Sequence, residues 1–291
     1  MTVHEDHPTL PEQSFRTLRG RRWSFLDFGR PAPYPPADER PVILALHGHF
    51  GRGRIFAPLA AALADRYRVI APDQRAHGLS QSGGELTPGA YVADAAAFLR
   101  ALELPPVAVL GHSMGGAIGY LLAERHPELV AALVVADMTV RNHAPEVQPV
   151  LDVSGWPRRT ATREELRADI EARGIPDASY FLHSAHRFED GWGLLFDPDD
   201  MMASQDALTG DFSASWCASG QPALLLRGGG SFILTPETAG WMTRERPNTE
   251  LVELPGCGHW LHDDAPDAFA EAVGSYLDRV LDGPGSDRFE P

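Results

Sequence analysis

The amino-acid sequence predicts an α/β fold in which a mostly parallel sheet carries helices on both faces and a helical lid is inserted between two strands. Short, continuous apolar runs alternate with amphipathic helical stretches along much of the chain. This pattern is typical of strands that are buried on both faces and joined by crossover helices. The alternation stops over residues 138–220, where Pro, Arg and aromatic residues are frequent, and then resumes.

The predicted strands are apolar runs too short to be core helices. In chain order they are residues 42–48, 67–73, 107–113, 129–137, 222–229 and 249–256. Helices are predicted between them at 55–65, 87–102 and 114–125, with a last amphipathic helix at 264–281. Thr87 is a suitable N-cap for the second of these helices, and Pro88 occupies its first position.

These elements predict one α/β core with an insertion. The core comprises residues 14–137 and 221–281, the lid residues 138–220, and loose tails residues 1–13 and 282–291. With 43% hydrophobic and 22% charged residues, the chain has a globular composition. The formal net charge of −15 argues against nucleic acid or an anionic membrane as the main partner. A small-molecule substrate is expected, and the oligomeric state is not predicted.

The composition also excludes several chemistries. All 25 basic Lys and Arg positions are arginine, which rules out Schiff-base catalysis and a P-loop. Cys217 and Cys257 are too few for a disulfide framework, and no signal peptide is visible, so a cytoplasmic location is expected. No cofactor and no metal are expected, because His183 and His186 lack an acidic ligand run to complete a site.

The main candidate for chemistry is the stretch LGHSMGG at residues 110–116. Its G-x-S-x-G pattern places Ser113 between a buried strand and a helix, at a sharp turn that small neighbours allow. The serine hydroxyl would be exposed at a helix N-terminus, where free N–H groups favour a developing negative charge. Ser113 is therefore the predicted nucleophile, and it requires a base and an acid.

His259 is the predicted base, because it follows the last predicted strand in VELPGCGHW. Ligands bind at the carboxyl ends of strands in such sheets, and an imidazole there can take and return a proton near neutrality. The alternative role for His259 is to cap the last helix or to pack against the lid.

Four motifs in chain order, LHGHFG, VIAPDQRAHGLS, LGHSMGG and PGCGHW, resemble those of the α/β-hydrolase superfamily over nearly the whole chain. The resemblance implies the fold of that superfamily and hydrolytic chemistry. Most members carry the acid three residues beyond a glycine that corresponds to Gly228, but Ser231 stands there in this chain.

A minority of the superfamily places the acid one strand earlier, and the resemblance implies Asp137 in VVADM as that acid. It stands at the end of a predicted buried strand, where an Asp needs a partner. The alternative is that Asp137 caps a turn into the lid. An acid at this position, together with the loop RGGGS, resembles a subset of the superfamily that acts on small acidic metabolites.

The oxyanion hole is predicted from the backbone N–H groups of Met114 and His49, with Phe50 as the next candidate. The absence of a HGGG run argues against the lipase and carboxylesterase branch that carries one. His47 and the loop 72–80 are expected to be structural. The substrate pocket is predicted to include the side chains Phe50, Trp260, Trp156, Trp192 and Arg158.

Together these residues predict a serine hydrolase that cleaves an ester, lactone, amide or carbon–carbon bond of a small carbonyl substrate. Two alternatives stay open. A cofactor-free perhydrolase or haloperoxidase-like enzyme uses the same triad, and a catalytically silent binding protein can keep the same fold.

Overall fold

The computed structural model describes residues 10–29 and 38–281. Its strands are β1 (Ser14–Leu18), β2 (Arg21–Asp27), β3 (Val42–Leu46), β4 (Arg68–Asp73), β5 (Val107–His112), β6 (Val130–Ala136), β7 (Arg141–Asn142), β8 (Ala185–Phe188), β9 (Gly191–Leu194), β10 (Gly210–Asp211), β11 (Ala223–Gly228) and β12 (Thr249–Leu254). The predicted C-terminal tail and most of the N-terminal one lie outside the described residues.

Within the described ranges, eight strands form one sheet in the order β1-β2-β4-β3-β5-β6-β11-β12. The pairs from β4 to β12 are parallel, whereas β1 pairs with β2 and β2 with β4 in antiparallel orientation. The predicted mostly parallel sheet is confirmed. The β1–β2 hairpin was not predicted, because β1 is a half-exposed edge strand that lacks a continuous apolar run.

The helices of the described chain are α1 (Ala57–Ala62), α2 (Pro88–Ala101), α3 (Met114–Arg125), α4 (Arg163–Glu171), α5 (Ser179–Leu182), α6 (Pro198–Ala207), α7 (Ser213–Ala218), α8 (Pro236–Glu245), α9 (Leu261–Asp264) and α10 (Pro266–Leu281). Thr87 caps α2 by accepting the Ala90 N–H at 3.3 Å. The last predicted helix, 264–281, is α10, which begins at Pro266 because Ala265 is not helical (φ −146°, ψ 70°).

Helices cover both faces of the sheet, with α1 packed against α10 and α2 against α3. Strand β3 is buried along its whole length, as the continuous apolar run predicts. No helix within the described ranges is long and apolar enough to cross a membrane.

Residues 138–220 lie between β6 and β11 and contain helices α4 to α7. The same segment also holds two small antiparallel pairs, β7 with β10 and β8 with β9. These strands are two to four residues long and were not predicted, since runs this short carry no usable periodicity. The role of this segment as a lid stays a prediction.

Candidate active site

Ser113 lies at the turn between β5 and α3, and its side chain is partly exposed. Its backbone angles, φ 53° and ψ −122°, lie in a region that L-residues rarely occupy. A Cβ atom at Gly111 would lie 2.0 Å from the Gly115 carbonyl oxygen, and one at Gly115 would lie 2.0 Å from the Leu46 carbonyl oxygen. The two glycines therefore allow the helix to cross the strands closely enough to hold this strained turn.

The side chains of His259 and Asp137 are in hydrogen-bonding contact at the same edge of the sheet. The His259 Nδ1 atom lies 2.8 Å from Asp137 Oδ2. Asp137 is fully buried and directly follows β6. The Ser113 N–H donates at 3.0 Å to the carbonyl oxygen of Ala136, the residue before Asp137. The structure thus joins His259 to Asp137, and it bonds the backbone of Ser113 to the residue that precedes Asp137.

Ser231 completes the surroundings of the Asp137 carboxylate. Its hydroxyl donates to Asp137 Oδ2 at 2.5 Å, and the Gly228 N–H donates to Oδ1 at 3.1 Å. The same hydroxyl oxygen accepts the N–H groups of Ile233 and Leu234 at 3.0 and 2.9 Å. Sequence reasoning noted Ser231 only as a departure from the family pattern. Ser231 stands where most members of the superfamily carry the acid, and this position was the one indication in the sequence that it contacts the acid Asp137.

His112, within the G-x-S-x-G motif, holds the backbone of His259. Its Nε2 atom lies 2.9 Å from the His259 carbonyl oxygen, and the two ring centroids are 4.7 Å apart. Burial holds the pKa of His112 well below its usual value, so the ring is neutral and Nε2 carries the donated proton. Nothing in the sequence pointed to this contact.

The loop after β3 passes beside the serine. A Cβ atom at Gly48 would lie 3.0 Å from Ser113 Cβ. From the inserted segment, the Tyr180 hydroxyl donates to the His49 carbonyl oxygen at 3.1 Å, and the Ser184 hydroxyl to that of Phe50 at 2.6 Å. These two bonds fix the loop that carries one of the two predicted oxyanion donors.

The other polar side chains around this loop are engaged in local structure. The Gln74 backbone N–H donates to His47 Nε2 at 2.9 Å, and the Gln74 side chain donates to the His47 carbonyl oxygen at 2.6 Å. The Asp73 carboxylate accepts the N–H groups of Gly53 and Leu79, each at 2.9 Å. His47 and the loop 72–80 therefore occupy the structural positions that the sequence predicts.

Aromatic side chains surround His259. The rings of Trp260 and Phe232 lie 5.6 and 5.1 Å from its ring, and Phe232 is 59% exposed. Phe50 is buried and stacks at 6.1 Å on Trp156. Phe232 was not predicted as a site residue, although it follows Ser231 directly.

Three predicted pocket residues line cavities elsewhere: Trp156, Trp192 and Arg158. Arg158 is exposed, pairs with Asp197 and Asp199, and lines a cavity of about 440 Å³ together with Trp156. Trp192 lines a separate cavity of about 780 Å³. Neither cavity includes Ser113 or His259 among its lining residues.

Residues 42–272 match the model of the alpha/beta hydrolase family, and the chain belongs to this family. It is an enzyme of the α/β-hydrolase fold, since its relatives are named hydrolases, lipases and esterases. It is 29% identical over 251 residues to an sn-1-specific diacylglycerol lipase of Mus musculus, a match that covers 81% of each chain.

A second relative is the 2-(acetamidomethylene)succinate hydrolase of Mesorhizobium japonicum, 27% identical over 254 residues that cover 82% of this chain and 88% of the relative. The crystal structure of E-2-(acetamidomethylene)succinate hydrolase superposes with a TM-score of 0.80 at 22% identity, covering 92% of this chain and 99% of that one. The resemblance that Asp137 and the loop RGGGS indicated is thus confirmed, because a curated relative and a solved structure are both 2-(acetamidomethylene)succinate hydrolases.

Proposed function

We propose that this enzyme is a serine hydrolase in which Ser113 is the nucleophile, His259 the general base and Asp137 the acid. The observation that carries the proposal is the 2.8 Å contact between His259 Nδ1 and the fully buried carboxylate of Asp137, beside the strained serine turn. A buried carboxylate held by two further donors can fix the imidazole tautomer and stabilise the imidazolium that forms.

The reaction follows the chemistry of these groups. His259 Nε2 takes the Ser113 proton while Oγ forms a bond to the substrate carbonyl carbon, and the electron pair of the carbonyl moves to its oxygen. The backbone N–H groups of Met114 and His49 would receive this oxyanion. When the tetrahedral intermediate collapses, the bond to the leaving group breaks and His259 returns the proton to that group.

The acyl-enzyme is then hydrolysed by the same residues. His259 takes a proton from water, whose oxygen attacks the acyl carbon, and the ester bond to Ser113 Oγ breaks. Ser113 recovers its proton from His259, and the free acid leaves. The bond that is cleaved can belong to an ester, a lactone, an amide or a carbon–carbon bond next to a carbonyl group.

The aromatic surroundings favour a substrate with an apolar acyl group. Trp260 and the exposed Phe232 flank the base, and Phe50 follows the predicted oxyanion donor His49. Such side chains bury apolar substrate surface while few polar groups fix its orientation. A short acyl ester is therefore the first substrate to test.

The test compares hydrolysis of short-chain acyl esters by the wild type, Ser113→Ala and Ser275→Ala. Ser275 lies exposed on α10 and serves as the matched serine control. We expect turnover by the wild type and the control, and a loss of at least ~10³-fold in Ser113→Ala. Equal turnover by all three folded proteins would rule out Ser113 as the nucleophile.

A further inference from the structure

A second concave site lies apart from Ser113, between the start of α1, helices α4, α5 and α9, and the strands β8 and β9. Its volume is about 780 Å³, which lies in the range of small-molecule pockets. Apolar side chains, among them Ile55, Leu182 and Trp192, form part of its wall. The proposed chemistry at Ser113 uses none of the residues that line it.

Two arginines on this wall have no carboxylate partner among the described residues. Arg54 is half-buried beside α1, and Arg163 is the first residue of α4. Burial and the nearby charges of Arg52 and Arg163 lower the pKa of Arg54. By contrast Arg167, on the same wall, pairs with Glu171 and Asp177 at 3.1 Å each.

Arg163 is exposed at the first position of α4, where Glu164 and Glu165 follow it in the first turn. The chain holds 40 acidic and 25 basic residues, so carboxylates are plentiful. Two uncompensated guanidinium groups at one cavity are therefore a feature that an anion would satisfy.

His262 is 4% exposed and also lines the cavity, and both of its ring nitrogens are buried from solvent. Burial lowers its pKa to about 4, so the ring is neutral near pH 7. It therefore forms an uncharged part of the cavity wall.

The charges at the cavity favour a singly charged ligand. Asp263 also lines it, with Oδ1 3.7 Å from His183 Nε2 and 3.8 Å from His262 Nε2. With Arg167 already paired, the two free arginines and this aspartate leave one net positive charge. A monoanion complements that charge better than a dianion such as phosphate.

We propose that this cavity binds an organic carboxylate with an apolar body. The guanidinium groups of Arg54 and Arg163 receive the carboxylate, for which their planar N–H forks are suited. The apolar wall at Trp192 covers the body of the molecule. This site is independent of the Ser113 chemistry.

The test is calorimetric titration of the full chain with octanoate, octanamide and inorganic phosphate. The variant is Arg54→Met/Arg163→Met, and the matched control is Arg16→Met/Arg187→Met, which removes two exposed arginines outside the cavity. We expect octanoate to bind the wild type and the control alike. Its affinity should fall about tenfold or more in the first variant, and octanamide should bind as weakly.

Three outcomes would overturn the proposal. They are equal octanoate affinity in the two folded double variants, tighter binding of phosphate than of octanoate, and no octanoate binding by the wild type. Ester hydrolysis measured on the same proteins reports separately on Ser113, so a failure of either proposal is distinguishable from a failure of the other.

Discussion

The Asp137 carboxylate is held by three hydrogen-bond donors: the His259 ring, the Ser231 hydroxyl and the Gly228 N–H. In Asp137→Asn the amide keeps one acceptor oxygen but presents NH₂ in place of the other, so it cannot hold the His259 Nδ1–H and the Ser231 hydroxyl as before. We expect kcat to fall by ~10³–10⁴-fold with the fold retained, since the imidazole is held in the wrong tautomer. Steady-state kinetics with circular dichroism measure this, and near wild-type turnover would exclude Asp137 as the acid.

Ser231 acts on the reaction through Asp137. In Ser231→Ala the carboxylate keeps two donors and loses one, a change worth about 1 kcal/mol or roughly fivefold in kcat, with KM little changed. Ser231→Thr retains the hydroxyl and should recover most of the loss. If alanine and threonine reduced turnover equally, the hydroxyl would have no positioning role.

At the element scale, the crossing of α3 over the sheet depends on Gly115. A Cβ atom there would lie 2.0 Å from the Leu46 carbonyl oxygen, a backbone atom that cannot move aside alone. We expect Gly115→Ala to lower the free energy of unfolding by about 3 kcal/mol or more, through overpacking and backbone shifts. Urea denaturation checks this.

Gly240, inside α8, is the matched control for that substitution. A Cβ atom at Gly240 would meet nothing within 4 Å. We therefore expect Gly240→Ala to be neutral or to stabilise the protein by about 0.5–1 kcal/mol. Equal effects of the two alanines would mean that the α3 crossing is not tightly constrained.

The parallel strands, helix α3 and part of the site could be predicted from the sequence, whereas contacts between distant loops could not. The parallel strands and α3 were predictable because their apolar runs and the glycine-rich turn are local signals. Ser113, His259 and Asp137 followed from their positions at strand ends. The contact of His112 with His259, 147 residues away, and that of Ser231 with Asp137, 94 residues away, depend on how loops from distant elements meet. No local sequence pattern predicts contacts between such distant loops.

On the scale of the whole molecule, several buried histidines make stability depend on pH. Burial lowers the pKa of His47 and that of His262 to about 4, and it holds the pKa values of His77 and His112 well below the usual value. In the unfolded chain these residues titrate near pH 6.5. Between about pH 6.5 and 4 the unfolded state therefore binds more protons than the folded state, so stability is lost as the pH falls through this range.

We expect each such histidine to contribute up to about 1.4 kcal/mol per pH unit to that loss. Urea denaturation at pH 7.5, 6.5 and 5.5 measures the slope, and His262→Phe should make it shallower by about one histidine. A free energy of unfolding that stays constant from pH 7.5 to 5.5 would show that these rings do not titrate as their burial implies.

Intact-mass analysis after treatment with a fluorophosphonate shows whether Ser113 is an activated nucleophile. We expect one adduct on the wild type, mapped to Ser113 and absent from Ser113→Ala, and much slower labelling of His259→Ala. An unlabelled wild-type protein that is folded, or an adduct that persists in Ser113→Ala, would contradict this expectation.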